Sequence, residues 1–195
     1  ASANSGATQV NILSWSHTVG TGSNRILLVS TNFGFNSPQR NVTSVTYSTS
    51  NLILLAANHN NNGKVDVWSI LNPPSGTNTV TITLNTTAYV VAGSVSYSGV
   101  NQTLPIGTIV SGTSFVNGSV GTWRTVSSAA GQVVVDFLSR NNANNLYWPT
   151  SAGSGQTLRW TNRNTFEGAS TVTGSMSEEP GAPIVNMSWT SAGTN

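Results

Sequence analysis

Apolar and polar residues alternate along most of the chain, with a period of two. In the first clear segment Leu13, Trp15 and His17 lie on one face, opposite Ser14 and Ser16. Such alternation is typical of a half-buried strand, and helical periodicity is nearly absent. The predicted strands are residues 8–19, 25–33, 43–49, 52–57, 64–71, 78–84, 89–97, 108–110, 120–127, 132–139, 157–161, 169–175 and 184–190.

Turn signals rich in Gly, Pro and Asn separate these segments, for example at residues 20–22, 62–63 and 72–76. Many short strands at even spacing indicate an all-β fold. We predict an antiparallel β-sandwich, jelly-roll-like in topology, formed as a single domain by residues 1–195. The longest irregular stretch, residues 140–155, is flanked by predicted strands and marks no domain boundary.

The chain is poor in charge and rich in neutral polar groups. Only seven basic and five acidic residues occur among 195, against 28 serines, 26 threonines and 24 asparagines. An ordinary domain is about one quarter charged. The basic residues are scattered, so a phosphate-binding patch is absent and nucleic acid is not an expected partner.

Candidate catalytic groups are few. Asp66 and Asp136 are the only carboxylates in predicted strands, and a glycosidase needs two such groups facing across a cleft. We expect them to be hydrogen-bonded or paired with arginine instead. No Gly-x-Ser-x-Gly elbow marks a nucleophile. We therefore expect a protein that is not an enzyme and has no cofactor.

Metal sites are not expected either. The chain has no cysteine, and His17 and His59 lie apart from further ligands, so a zinc site is not predicted. The Asn-rich segments 58–62 and 141–145 supply amide oxygens but almost no carboxylates. They therefore leave only a weak calcium site open.

Lys64 is the only lysine of the chain. Buried Lys–Asn isopeptide bonds occur in surface β-domains, and a single strand lysine beside Asp66 suits one. A strand lysine more commonly faces solvent, and that is the arrangement we expect.

Aromatic residues near the longest loop suggest a second function. Tyr147, Trp148, Arg159 and Trp160 together are typical of a platform for sugar rings with neutral polar groups around it. The alternative is that the two tryptophans close one end of the sandwich.

The sequence is consistent with secretion. It begins Ala1-Ser2-Ala3, as at a processed terminus, and no stretch is apolar enough to span a membrane. Five Asn-x-Ser/Thr sequons are candidate N-glycosylation sites, at Asn41, Asn85, Asn101, Asn117 and Asn186.

Several segments occur in an order that is similar to a known module. They include residues 14–29, with Ser14-Trp-Ser-His17, residues 67–80, with Asn72-Pro-Pro-Ser-Gly76, residues 92–107, and Met187-Ser-Trp189. The chain resembles a β-sandwich module that recurs in large secreted and cell-surface proteins of bacteria. The resemblance implies an extracellular, non-catalytic role in adhesion, surface architecture or polysaccharide contact.

One departure from this module suggests self-assembly. Similar modules continue with a further apolar strand after the segment matching Met187-Ser-Trp189, whereas this sequence continues only with residues 191–195. An open sheet edge accepts a strand from elsewhere. We expect residues 1–10, including Ala1, Thr8 and Val10, to fill that edge in a neighbouring copy and so build a fibre. The alternative is a completed sheet with frayed tails.

Overall fold

The computed structural model describes residues 1–33, 40–60, 63–113, 122–142, 150–164 and 171–191. These residues form strands and no helix, so the predicted all-β class is confirmed. The strands are β1 (Ser2–Val19), β2 (Ile26–Phe33), β3 (Val42–Tyr47), β4 (Ser50–Asn51), β5 (Ile53–Asn60), β6 (Gly63–Leu71), β7 (Gly76–Tyr97), β8 (Thr122–Val126), β9 (Val133–Asn142), β10 (Thr150–Ala152), β11 (Thr157–Arg163), β12 (Thr171–Pro180) and β13 (Val185–Ser191).

Three predicted elements differ from the structure. Residues 108–110 are not a strand, although their β-branched residues suggested one. Residues 78–84 and 89–97 are not separate strands but parts of the continuous strand β7. The intervening Asn85-Thr86-Thr87 looks like a turn in sequence. In the fold, a backbone hydrogen bond from Asn85 N to Asn41 O fixes the strand at this point.

Strand β7 organises the largest sheet. One edge of β7 pairs antiparallel with β1 along almost its whole length. The other edge pairs first with β3 and then with β2, and the sheet continues through β6 to β5. Two smaller sheets have the strand orders β10-β13-β8 and β11-β12-β9.

The long β1–β7 ribbon folds back on itself. Its register shifts between Ala7 and Val10 and again between Val10 and Ile12, as at β-bulges, which bend strands. Trp15 pairs with Val80, yet its Nε1 donates a hydrogen bond to Ser94 Oγ at 3.0 Å, far along the same strand. The two halves of the ribbon therefore face each other across a core.

That first core is enclosed by the folded ribbon and the strands paired with it. Alternate residues of β1, β2, β3 and β7 supply it, and Tyr47, Phe33 and Leu27 are among its fully buried side chains. The buried face of β1 that alternation predicted, with Leu13, Trp15, His17 and Val19, is confirmed.

The second half of β7 and all of β2 are buried on both faces. Ile26 and Leu28 of β2 point away from the first core and pack against Trp160 and Met176 of the β11-β12-β9 sheet. A third, smaller cluster joins Val134 to Val185 and Met187 of the remaining sheet. The structure is thus a layered all-β assembly, whereas the finer jelly-roll assignment stays a prediction.

Candidate functional site

The first residues of β1 form a separate pairing segment, here called the amino-terminal limb (residues 2–7). Its register with β7 runs without a shift from Ser2 opposite Val95 to Ala7 opposite Val90. Ala1 extends the ladder, because it donates to Ser96 O at 3.2 Å and accepts from Ser96 N at 2.9 Å. Residues 2–7 therefore occupy an edge position of the large sheet beside β7 of the same chain.

Small side chains limit what this limb buries. Ala3 packs against the first core. On the other face Asn4 Oδ1 accepts a hydrogen bond from Asn162 Nδ2 at 2.9 Å, and Ser2 Oγ donates to Arg159 O at 3.0 Å. For residues 2–5, whose side chains the structure describes, the interactions are therefore mainly the backbone ladder and these polar contacts.

Strand β11 lies along the outer side of the limb, beside an ion pair that also joins β12. Glu178 accepts hydrogen bonds from Arg159 and from the hydroxyl of Tyr97. Burial pushes the pKa of Glu178 upward, but these two hydrogen bonds, together with the positive charges of Arg159 and of the amino terminus, hold the pKa below its ordinary value. Burial, followed by the contact with Glu178, raises the pKa of Tyr97. At neutral pH the ion pair beside the limb therefore consists of the anionic carboxylate of Glu178 and the guanidinium of Arg159.

Beneath the limb lies a buried polar network centred on His17. Nδ1 of His17 is 2.9 Å from Ser94 Oγ, and Nε2 is 3.0 Å from Ser96 Oγ. Ser94 Oγ also accepts a hydrogen bond from Trp15 Nε1 at 3.0 Å and donates to the backbone oxygen of Ala3 at 3.4 Å, which links the network to the limb. Burial lowers the pKa of His17 to about 4, so the ring is neutral at pH 7.

The ladder is interrupted where the limb meets the rest of β1. The next pair after Ala7 is Val10 opposite Ala88, and the register shifts on both sides of Val10. Val10 is half-buried and packs against the first core. Three residues were predicted to contact another subunit. Ala1 lies on the ladder with β7, Thr8 lies at this interruption, and Val10 contacts the core of its own chain.

The predicted sugar platform is not assembled by the described residues. Trp160 is only 4% exposed and packs in the second core, directly over Gly93. Arg159 is paired with Glu178. Tyr147 and Trp148 lie outside the described residues, so a glycan site stays a prediction that rests on these two side chains.

The candidate acids and histidines do not form one centre. Asp66 pairs with His59, whereas Asp136 lies elsewhere and accepts from Ser177 Oγ at 2.5 Å and Trp189 Nε1 at 2.5 Å. Burial raises the pKa of Asp136, against these hydrogen bonds. Asp136 thus holds the two small sheets together, in line with the expected hydrogen-bonded role.

The expectation that Lys64 faces solvent is wrong. Its side chain is buried, and Nζ donates to Arg40 O and to Asn41 Oδ1, each at 3.1 Å. Alternation on β6 places Lys64 opposite the buried Phe33 of β2, which turns the lysine toward the first core.

Four of the five sequons lie on described residues, and Asn117 lies outside them. Asn41, Asn85, Asn101 and Asn186 are all exposed. The side-chain oxygens of two of them accept backbone hydrogen bonds. Asn85 Oδ1 accepts from Asn41 N, and Asn101 Oδ1 accepts from Thr103 N and Leu104 N. Glycosylation of these residues stays a prediction.

No group of three or more metal-ligating side chains occurs in the part of the chain that the structure describes. Nor do the described ranges contain a helix with the length and apolar character of a membrane span.

Comparison with known proteins adds no family. No protein-family model matches the chain, and neither a curated protein nor a solved structure is significantly similar to it.

Sequence reasoning missed the partners that surround the limb. Ser94 and Ser96 are buried although they are polar, and Glu178 and Tyr97 meet only through the packing of separate sheets. A signal for the two serines was present. They alternate with Val95 and Tyr97 in the second half of β7, residues 88–97, which is otherwise mainly apolar, and buried hydroxyls need partners.

Proposed function

We propose that the chain is an extracellular, non-catalytic structural or adhesive subunit that assembles by exchanging residues 1–10 between copies. In this arrangement the amino-terminal limb leaves its own β7 and adds to β7 of the next copy. Residues 8–11, where the ladder is interrupted, act as the hinge. A head-to-tail contact of this kind does not close and builds a fibre.

The observation that carries the proposal is the construction of β1. Residues 2–7 make a regular ladder with β7, and among the described side chains of residues 2–5 only Ala3 packs against the first core. Their release leaves the core residues Leu13 and Trp15 in place. Because a neighbouring copy offers the same ladder and the same contacts, exchange replaces each interaction by an identical one.

The charge pattern supports the same proposal. Natural edge strands are protected from joining by lysine, other charged side chains or proline. Residues 1–19 contain none of the four charged residue types and no proline. The edge that this segment forms therefore lacks the usual side-chain protection against a partner strand.

A pair of cysteines tests where the limb resides. The chain has no cysteine, so introduced thiols have no competitor. Ser2 lies opposite Val95, next to the hydrogen-bonded pair of Ala1 and Ser96, and so occupies the closer, non-hydrogen-bonded kind of site. In the Ser2→Cys/Val95→Cys variant, exchanged limbs join different copies covalently, and denaturing non-reducing gels show a ladder of multimers.

The matched control is Ser14→Cys/Thr81→Cys. These hydroxyls are 3.1 Å apart across the other half of the same ribbon, which stays within one copy. This variant is expected to give monomers only. Monomers from both variants contradict exchange, and a single dimer band from the first contradicts the fibre, because it indicates closed reciprocal exchange.

Deletion of residues 1–7 provides a second test. The truncated chain keeps the anchoring core residues of β1 but has no limb to donate. It is expected to form no filaments by negative-stain electron microscopy, and to bind a synthetic peptide of residues 1–10. Filaments of unchanged length and number would contradict the proposal.

A further inference from the structure

The buried side chain of Lys64 reaches the side chain of Asn41, an exposed residue. Lys64 lies on β6 of the large sheet, and its Nζ is 3.1 Å from Asn41 Oδ1. Asn41 immediately precedes β3 and is held beside β7 by two hydrogen bonds with Asn85. Asn85 N donates to Asn41 O, and Asn41 N donates to the side-chain Oδ1 of Asn85. The lysine nitrogen therefore lies beside the amide carbon that carries this oxygen.

Acid–base groups flank this contact on the same face of the sheet. Asp66 is two residues from Lys64 on β6, and both side chains are buried. His59 lies opposite Lys64 in the β5–β6 ladder and is hydrogen-bonded to Asp66. On the other side, the ladder partner of Lys64 is the fully buried Phe33. A buried amine in contact with an exposed primary amide thus has a carboxylate–imidazole pair as its neighbour on the same face.

We propose that Lys64 and Asn41 join spontaneously through an intramolecular isopeptide bond. The lysine ammonium gives up one proton, and the neutral Nζ attacks Cγ of Asn41. The Cγ–Nδ2 bond breaks, an amide forms between Cγ and Nζ, and Nδ2 leaves as ammonia, which takes up the released protons as ammonium. Atoms and charge balance without an oxidant or other reactant. In this proposal the carboxylate of Asp66, two residues from Lys64 on the same strand, takes up the proton that Nζ releases.

The bond would connect elements that are far apart in the sheet. It ties β6, on one side of the first core, to the start of β3, on the other side. A covalent link across a core restricts the unfolded chain and resists separation of the two layers under load. This inference does not depend on strand exchange, since both residues lie outside the exchanged limb.

Glycosylation and the isopeptide bond exclude one another at Asn41. The residue opens the sequon Asn41-Val42-Thr43, and a glycan would occupy the same Nδ2 that the reaction expels. The two modifications change the mass of the chain in opposite directions.

Intact-mass spectrometry of the complete chain tests the bond directly. Protein made in a host without N-glycosylation is expected to be lighter than its sequence by one ammonia. Since Lys64 is the only lysine, a lysine-specific protease reports the same bond independently. The linked, denatured chain resists cleavage, whereas an unlinked chain gives two fragments.

Three variants locate the chemistry. Lys64→Arg and Asn41→Ala are expected to have the full masses of their sequences, and Asn41→Ala to be cut after Lys64. Asp66→Asn is expected to slow the loss of ammonia at least tenfold. Thr43→Val is the matched control, because it removes the sequon but leaves both reacting side chains and should lose ammonia normally.

A wild-type chain of full mass that is cleaved at Lys64, or one carrying a glycan at Asn41, overturns the proposal.

Discussion

The two halves of β1 pair with the same strand but are held in place differently. The amino-terminal limb, residues 2–7, consists of small residues, and among the described side chains of residues 2–5 only Ala3 packs against the first core. The second half, here called the anchor limb (residues 12–19), buries Leu13, Trp15, His17 and Val19. The backbone ladder is common to both halves, so side-chain burial makes the difference.

This difference shows how one strand combines a permanent and an exchangeable part. Net backbone hydrogen bonding contributes only about 1 kcal/mol per bond, because the released groups bond to water. Burying a large apolar side chain contributes about 1.5–3 kcal/mol. The anchor limb therefore unfolds with the core, whereas the amino-terminal limb can open by itself, as low-stability segments do.

The largest effect is expected from a substitution in the anchor limb. Trp15→Ala removes a core side chain and leaves Ser94 without its indole donor, so the free energy of unfolding should fall by about 3–5 kcal/mol. Urea denaturation followed by circular dichroism measures it. Ser16→Ala, on the exposed face of the same limb, should change it by no more than about 0.5 kcal/mol. A loss below about 1 kcal/mol for Trp15→Ala would mean that the anchor limb is not anchored by burial.

Acid is expected to weaken the anchor limb through His17. Its pKa is about 4 in the folded chain against an ordinary 6.5, so between these values the unfolded chain binds a proton that the folded chain does not. The contribution of His17 to the free energy of unfolding is therefore fully present above pH 6.5. It is lost as the pH falls toward 4, a decrease of about 3 kcal/mol. Urea midpoints at several pH values measure the decline.

A neutral variant isolates the contribution of histidine. Asp136 acts in the opposite sense, because its raised pKa makes the folded chain hold a proton longer than the unfolded chain does. His17→Gln keeps Asp136 and removes the imidazole, so the difference between the two pH profiles reports His17 alone. Parallel profiles would show that protonation of His17 is not coupled to unfolding.

Much of the fold follows from alternation, but the layering does not. The buried face of β1 could be predicted, since polar Ser14 and Ser16 separate its core residues. The continuity of β7 could not be predicted, because Asn85-Thr86-Thr87 has the composition of a turn. These residues are kept in a strand by a hydrogen bond from Asn85 to the distant Asn41. Local sequence does not encode such long-range contacts.

The candidate site shows the same division. The small polar residues of the amino-terminal limb predicted a segment with little packing of its own, which agrees with its few side-chain contacts. Its position beside its own β7 was not predicted, because the pairing joins residues about ninety positions apart. Trp160 misled for a related reason. Its polar neighbours suggested a surface, while Gly93 provides the space that buries it.

An intermediate effect is expected where the amino-terminal limb meets the second core. Gly93 pairs with Asn4, and an added Cβ would collide with the ring of Trp160. Gly93→Ala should therefore cost about 1–3 kcal/mol of unfolding free energy through overpacking. The melting temperature measures the loss. Gly20→Ala is the control, since its Cβ would meet open space. Equal melting temperatures for the two variants would contradict the close packing of Trp160 on β7.

The smallest effect on global stability, and the most direct test of the comparison, is expected from Asn4→Ala. The variant loses the hydrogen bond between Asn4 and Asn162 at an exposed position, so the free energy of unfolding should change by no more than about 0.5 kcal/mol. Local opening of the amino-terminal limb breaks the same hydrogen bond as global unfolding does, so it should become easier by the same small amount. Amide hydrogen exchange in residues 2–7 should be much faster than in residues 12–19, in the variant as in the wild type. Equal exchange rates in the two limbs would show that β1 opens as one unit, and the hinge at residues 8–11 would then have no role.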